Sequence, residues 1–146
     1  MLIIKSGDLL EATENIICHQ CNTLGIFGGG IAYQIKQKYP QCEKQTTEFI
    51  NSTQRFGDYY LYVNKVDKKM IANCFTQSED YITNYEWVCE CFTKLKENCI
   101  DMKQSIAIPY NYGCGIANGE WSKIEEILID IFTDIDLVIY KYDGDE

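Results

Sequence analysis

The sequence predicts an α/β fold in three layers, with helices covering both faces of a central mixed sheet of about six strands. Three observations carry this. Short apolar, β-branched-rich runs alternate with longer segments of helical period, turn or polar residues bound each run, and two strand-to-helix junctions are rich in glycine. Strands are expected at Leu2–Lys5, Asn15–His19, Tyr59–Val63, Lys69–Phe75, Ser105–Pro109 and Leu137–Tyr142. Helices are expected at Gly30–Tyr39, Gln41–Ser52, Thr83–Asn98 and Glu120–Thr133; in the last, Ile124, Ile127, Leu128 and Ile131 fall at i, i+3, i+4 and i+7. No repeat, low-complexity tract or linker interrupts the pattern. A length of 146 residues suits one domain over residues 1–146.

Composition narrows the function classes. Hydrophobic residues make up 46% and charged residues 24%, as in soluble globular chains, and no apolar run approaches the ~18 residues of a membrane span. The start, MLIIKSGDLLEATE, turns from apolar to acidic at once and is unlike a secretory signal. A cytoplasmic address and no membrane partner are expected. The net charge is −9 and Arg55 is the only arginine, so the surface repels phosphate backbones and general nucleic-acid binding is disfavoured. A small anionic ligand remains compatible, held by backbone N–H groups and a helix N-terminus.

Eight cysteines stand at 18, 21, 42, 74, 89, 91, 99 and 114. Without a secretory signal they are expected as reduced thiols. Cys18-His-Gln-Cys21 has the CxxC spacing, but a zinc site needs a second ligand pair and His19 is the only histidine. Cys18 is therefore expected as a small apolar strand residue, with no metal and no cofactor in the protein.

The chemistry concentrates in two loops. In His19-Gln-Cys-Asn22-Thr-Leu-Gly-Ile-Phe27-Gly28-Gly29-Gly30-Ile31, a buried strand enters a helix through three glycines, where anions bind in α/β folds. Glycine permits φ > 0 and removes the Cβ that would stand between a ligand and the N–H groups. The stretch is neither a Walker A loop nor a dinucleotide fingerprint. The second loop, Pro109-Tyr-Asn-Tyr-Gly113-Cys-Gly115-Ile-Ala-Asn-Gly119, repeats the strand–glycine–helix order. Two such loops at one sheet edge can clamp a diphosphate from both sides.

Together, SGDLLEA, CHQCNTLGIFGGGIAYQIKQKYP, NCFTQS, IAIPYNYGCGIANGEW and the final VIY strand resemble the macrodomain family, the ADP-ribose-binding module, over nearly the whole chain. Within it the chain is most similar to the branch containing the yeast-type ADP-ribose-1''-phosphate phosphatase. The branch of terminal ADP-ribose-protein glycohydrolases and of antitoxins that reverse DNA ADP-ribosylation is similar in outline. The resemblance implies that Asp8 accepts from the adenine N6 amino group and that Asn22 bonds the distal ribose hydroxyls. It lines the diphosphate with Gly28, Gly29 and Gly30 on one side and with Gly113, Cys114, Gly115 and Ile116 on the other. Tyr140 packs near adenine, Phe27 covers the distal ribose, and Leu9 and Ile31 complete the ligand-binding set. A monomer acting on a small molecule is expected.

The chain departs from the glycohydrolase pattern. Where that branch has a lysine after the NCF strand and an aspartate in the second loop, this chain offers Thr76 or Gln77 and Ala117, so no Schiff base can form there. His19 remains as the candidate catalytic residue, able to take a proton from water or to give one to a leaving ribose oxygen. The leading expectation is a phosphatase acting on ADP-ribose 1''-phosphate or a related derivative. A non-catalytic reader or sponge of ADP-ribose, or a hydrolase removing ADP-ribose from protein or nucleic acid, are the alternatives.

Overall fold

A computed structural model describes residues 1–115 and 117–142. Six strands form one sheet: β1 (Leu2–Ser6), β2 (Ile16–Cys21), β3 (Tyr59–Val63), β4 (Met70–Phe75), β5 (Ile106–Pro109) and β6 (Leu137–Lys141). Their order is β1-β6-β5-β2-β4-β3, parallel except that β3 runs antiparallel to β4 at one edge. The helices are α1 (Gly30–Lys38), α2 (Pro40–Thr53), α3 (Tyr85–Met102) and α4 (Trp121–Ile131), and a 3₁₀ turn occupies Leu9–Glu11.

The layers follow from strand alternation, since neighbouring residues of a strand point to opposite faces. Ile16, Cys18, Ala72 and Cys74 pack with α3 and α4, whereas Ile17, Cys21, Ile71 and Phe75 pack with α1, α2 and the 3₁₀ turn. Cys18 and Cys21 therefore lie on opposite faces of the sheet and cannot ligate a common ion. All eight cysteines are free thiols, and among the described residues no group of three or more His, Cys, Asp or Glu side chains could hold a metal ion. No described helix is long and apolar enough to cross a membrane.

The element order matches the sequence reading, with differences at the ends. Strand β2 runs two residues past His19, because Gln20 and Cys21 pair in register with Cys74 and Phe75. The third helix starts at Tyr85, where the Asn84 side chain accepts from Trp87 N at 3.0 Å, and continues to Met102 before Lys103 turns left-handed at φ 54°. The 3₁₀ turn has no counterpart in the reading. It forms because Asp8 Oδ1 accepts from Leu10 N at 2.9 Å.

One topological detail opens the site. Strands β2 and β5 pair only at Ile16–Ile106 and Ile17–Ala107, although β2 continues to Cys21 and β5 to Pro109. Beyond that point no further partner pair forms between them among the described residues. A crevice at the carboxyl ends of the strands is where open parallel sheets bind ligands.

Candidate functional site

Two adjoining cavities lie at this edge. The outer one, about 330 Å³, is lined by Gly7, Asp8, Leu9, Leu10, Ile31, Gln34, Tyr140 and the ends of β5 and β6. The inner one, about 250 Å³, is lined by His19, Gln20, Gly29, Ile31, Ala32, Tyr112, Gly113 and Gly115. Ile31, Pro109, Tyr110 and Asn111 belong to both, so the two are lobes of one cleft. The charged side chains lining it are Asp8 and Lys141, both in the outer lobe. An anion in the inner lobe would be held by backbone.

The backbone there suits one. Gly29 is the N-cap of α1 and offers no side chain to the first-turn N–H groups, and Gly30 follows at φ +59°. A Cβ placed on Gly28, Gly29, Gly30 or Gly115 would meet nothing within 4 Å, so these glycines border open space. Gly113 differs. At φ +71°, it lies so close to Thr83 Oγ1 and Gln20 Nε2 that a Cβ would stand 2.8 and 3.0 Å from them.

Those two side chains brace the second loop. Gln20 Nε2 donates to Thr76 Oγ1 at 3.1 Å and Thr83 Oγ1 at 3.2 Å, and Thr83 Oγ1 donates to the Gly113 carbonyl at 2.6 Å. Thr76 also bonds the Tyr112 hydroxyl at 2.6 Å. Thr76 and Ala117, which with Gln77 were read against the glycohydrolase pattern, are buried.

In the outer lobe, Asp8 bonds the turn through Oδ1 while Oδ2 has no hydrogen bond among the described residues. Leu9 is buried beside it. The Tyr140 hydroxyl donates to Glu14 Oε1 at 2.7 Å, and Lys5 Nζ reaches Glu14 Oε2 at 3.3 Å, which fixes the ring against Gly7. Lys141 Nζ lies 5.0 Å from the Tyr110 ring centroid.

His19 lies on the α1–α2 face of β2 and is 2% exposed. Its Nε2 is 2.7 Å from Asn73 Oδ1, its ring meets that of Phe27 edge-on at 4.9 Å, and Nδ1 is buried with no partner. Burial holds the imidazole below its ordinary pKa, with the Asn73 hydrogen bond acting the other way.

Several expected site residues do not line the cleft. Asn22 Oδ1 accepts from Leu24 N at 3.0 Å and Ile26 N at 3.2 Å, and its Nδ2 donates to the Ile26 carbonyl at 3.0 Å, so the side chain holds its own loop. Phe27 is 1% exposed and supports His19 from within the core. Cys114 directs Sγ to the Tyr112 carbonyl at 3.3 Å. Ile116 lies outside the described residues. Conversely, Gln34, Tyr110, Asn111 and Lys141 line the cleft and Asn73 and Gln20 organise it, although the sequence reading singled out none of them. The polar Asn73 inside the apolar run MIANCF was a legible signal of a buried hydrogen-bonding role.

No protein-family model matches the chain. Among curated proteins it is 30% identical to an uncharacterised 17.5 kDa protein of Enterobacteria phage T4, over 97% of this chain and 98% of that one. It is 29% identical to the ADP-ribose 1''-phosphate phosphatase of Lodderomyces elongisporus, over 88% of this chain and 87% of the enzyme. Among solved structures, the macrodomain of Mycobacterium tuberculosis DarG superposes with a TM-score of 0.85 at 25% identity, covering 96% of this chain and 97% of that one.

Proposed function

The chain belongs to the macrodomain family, and we propose that it binds ADP-ribose along the two-lobed cleft and releases the phosphate from ADP-ribose 1''-phosphate. The observation that carries this reading is the only imidazole of the chain, lining the inner lobe beside a glycine-opened helix start, with one nitrogen unpartnered. The similarity to the Lodderomyces phosphatase over most of both chains supports the choice of substrate.

In this reading adenine occupies the outer lobe between Ile31 and Tyr140. Asp8 Oδ2 accepts from its N6 amino group, and Leu9 provides apolar contact. The diphosphate follows the α1 start at Gly28, Gly29 and Gly30, facing Gly113 and Gly115 across the cleft. The distal ribose reaches the inner lobe, over the loop that Asn22 shapes and the ring that Phe27 supports.

The proton goes to His19. A neutral imidazole held below its ordinary pKa is poised to accept. A water hydrogen-bonded to His19 attacks the phosphorus and gives its proton to the ring; the bond between phosphorus and the 1'' oxygen breaks, and its electron pair leaves on that oxygen. The ring then passes that proton to the oxygen, giving ADP-ribose and inorganic phosphate with His19 neutral again. The protein acts as a cytoplasmic monomer on a small molecule.

The test is phosphate release from ADP-ribose 1''-phosphate by the purified protein, beside calorimetry with ADP-ribose. Both binding and release are expected. Binding without release would leave a reader of ADP-ribose, and release of ADP-ribose from modified protein or nucleic acid would assign a hydrolase.

A further inference from the structure

Asn73 sits on β4 directly opposite His19 of β2 and is fully buried. Its amide has one possible orientation, because Nδ2 lies 2.9 Å from the Tyr60 carbonyl and 3.1 Å from the Ile71 carbonyl, and both are acceptors only. The nitrogen must donate to both. Oδ1 then faces His19 Nε2 at 2.7 Å and the Cys42 thiol at 3.4 Å, and a carbonyl oxygen can only accept. His19 Nε2 therefore carries a hydrogen. A neutral imidazole has one such hydrogen, so Nδ1 is bare.

We infer that Asn73 is the positioning residue that fixes His19 in its Nε2–H tautomer and leaves Nδ1 to accept a hydrogen bond, and then a proton, from a hydroxyl-bearing group bound in the inner lobe. The inference rests on the proposed function for the identity of that group but not for the tautomer. The unpartnered Nδ1 is its second support, since a buried acceptor without a protein partner is complementary to an incoming donor. Such a nitrogen matches a ribose hydroxyl or an attacking water. A phosphate oxygen without a proton does not match it. The wall behind the ring is rigid as well, because Asn73 is anchored to two strand carbonyls and Phe27 closes the side.

Of the titratable groups near the ring, the Cys21 thiol of β2 lies 3.6 Å from Nε2 and the Cys42 thiol of α2 bonds Asn73 Oδ1, while Cys74 of β4 packs on the opposite face of the sheet. No carboxylate hydrogen-bonds the ring among the described residues. Asn73→Asp would introduce one at almost unchanged volume. The ring would then hold a second proton to higher pH.

The experiment is ¹⁵N NMR of the whole protein labelled at histidine, where the single imidazole gives one pair of ring resonances. The wild type is expected to show a protonated Nε2 and a bare Nδ1 at neutral pH, with the Nδ1 resonance moving when ADP-ribose is added. In Asn73→Asp the midpoint of the ring titration should rise by more than one pH unit, and in Asn73→Leu the tautomer should become mixed or reversed. A wild-type Nδ1–H tautomer would overturn the inference, as would an unchanged tautomer and midpoint in the variants. If a variant fails to fold, the wild-type spectrum still decides. The expected tautomer in a protein that releases no phosphate would uphold the role of Asn73 and refute the phosphatase reading alone.

Discussion

Thr83 and Gly113 pack so closely that a side chain at 113 would displace its neighbour: the Thr83 hydroxyl donates to the Gly113 carbonyl at 2.6 Å, and a Cβ on Gly113 would lie 2.8 Å from that hydroxyl. Gly113→Ala should therefore both strain the backbone at φ +71° and push Thr83 away. A loss of about 1–3 kcal/mol is expected in denaturant unfolding, the range for a residue forced into a sparsely populated backbone region. Weaker ADP-ribose binding should accompany it in calorimetry. Unchanged stability and affinity would show that Thr83 and Gln20 do not brace the loop.

A different test addresses adenine. Asp8→Asn keeps an oxygen for Leu10 N, and so preserves the turn, but presents an NH₂ where Oδ2 stood. Affinity for ADP-ribose should fall by about 1.5–3 kcal/mol, the usual scale for a hydrogen bond to a charged group. The inosine analogue, whose 6-carbonyl oxygen accepts, should be hurt less. Equal losses for the two ligands would confine Asp8 to the turn.

The burial of His19 predicts how stability depends on pH. Its native pKa lies below the ordinary value of about 6.5 that the unfolded chain retains. Between those two values the unfolded state binds a proton that the native state refuses, so stability falls as pH drops through about 6.5 and is unaffected by this group above it. The lowered carboxylates Glu14, Asp67 and Asp134 act in the more acidic range. His19→Gln should flatten the dependence below about pH 6.5 in urea melts. A wild-type stability that rises on acidification through that window would contradict the burial argument.

How much of this was legible in the sequence varies with the range of the interactions. Strands such as Ile106–Pro109 and helices such as Trp121–Ile131 announce themselves by local periodicity, and the glycine loop before α1 by composition. The end of β2 did not, because Gln20 looks like a loop residue until Thr76 and Thr83, 56 and 63 positions away, satisfy its amide. The partner of His19 was hidden for the same reason, since Asn73 is 54 residues distant. Asn22 illustrates the reverse. Its bonds run no farther than Ile26, so an Asx-type turn describes its side chain, where the resemblance implied a ribose contact.

The absence of an amine beside the inner lobe has its own consequence. Thr76 is buried and hydroxyl-bonded, and no lysine lines that lobe among the described residues. Borohydride treatment with ADP-ribose should trap no covalent adduct in mass spectrometry. An adduct mapped to a lysine would restore the Schiff-base route.

If His19 moves the proton during phosphate release, the His19→Ala variant should separate turnover of ADP-ribose 1''-phosphate from calorimetric affinity for ADP-ribose. Loss of general base catalysis should lower kcat by roughly 10²–10⁴ while affinity changes far less, because the contacts proposed for the nucleotide and diphosphate do not include His19. Turnover equal to the wild type would contradict the account, and so would a loss of binding as large as the loss of rate.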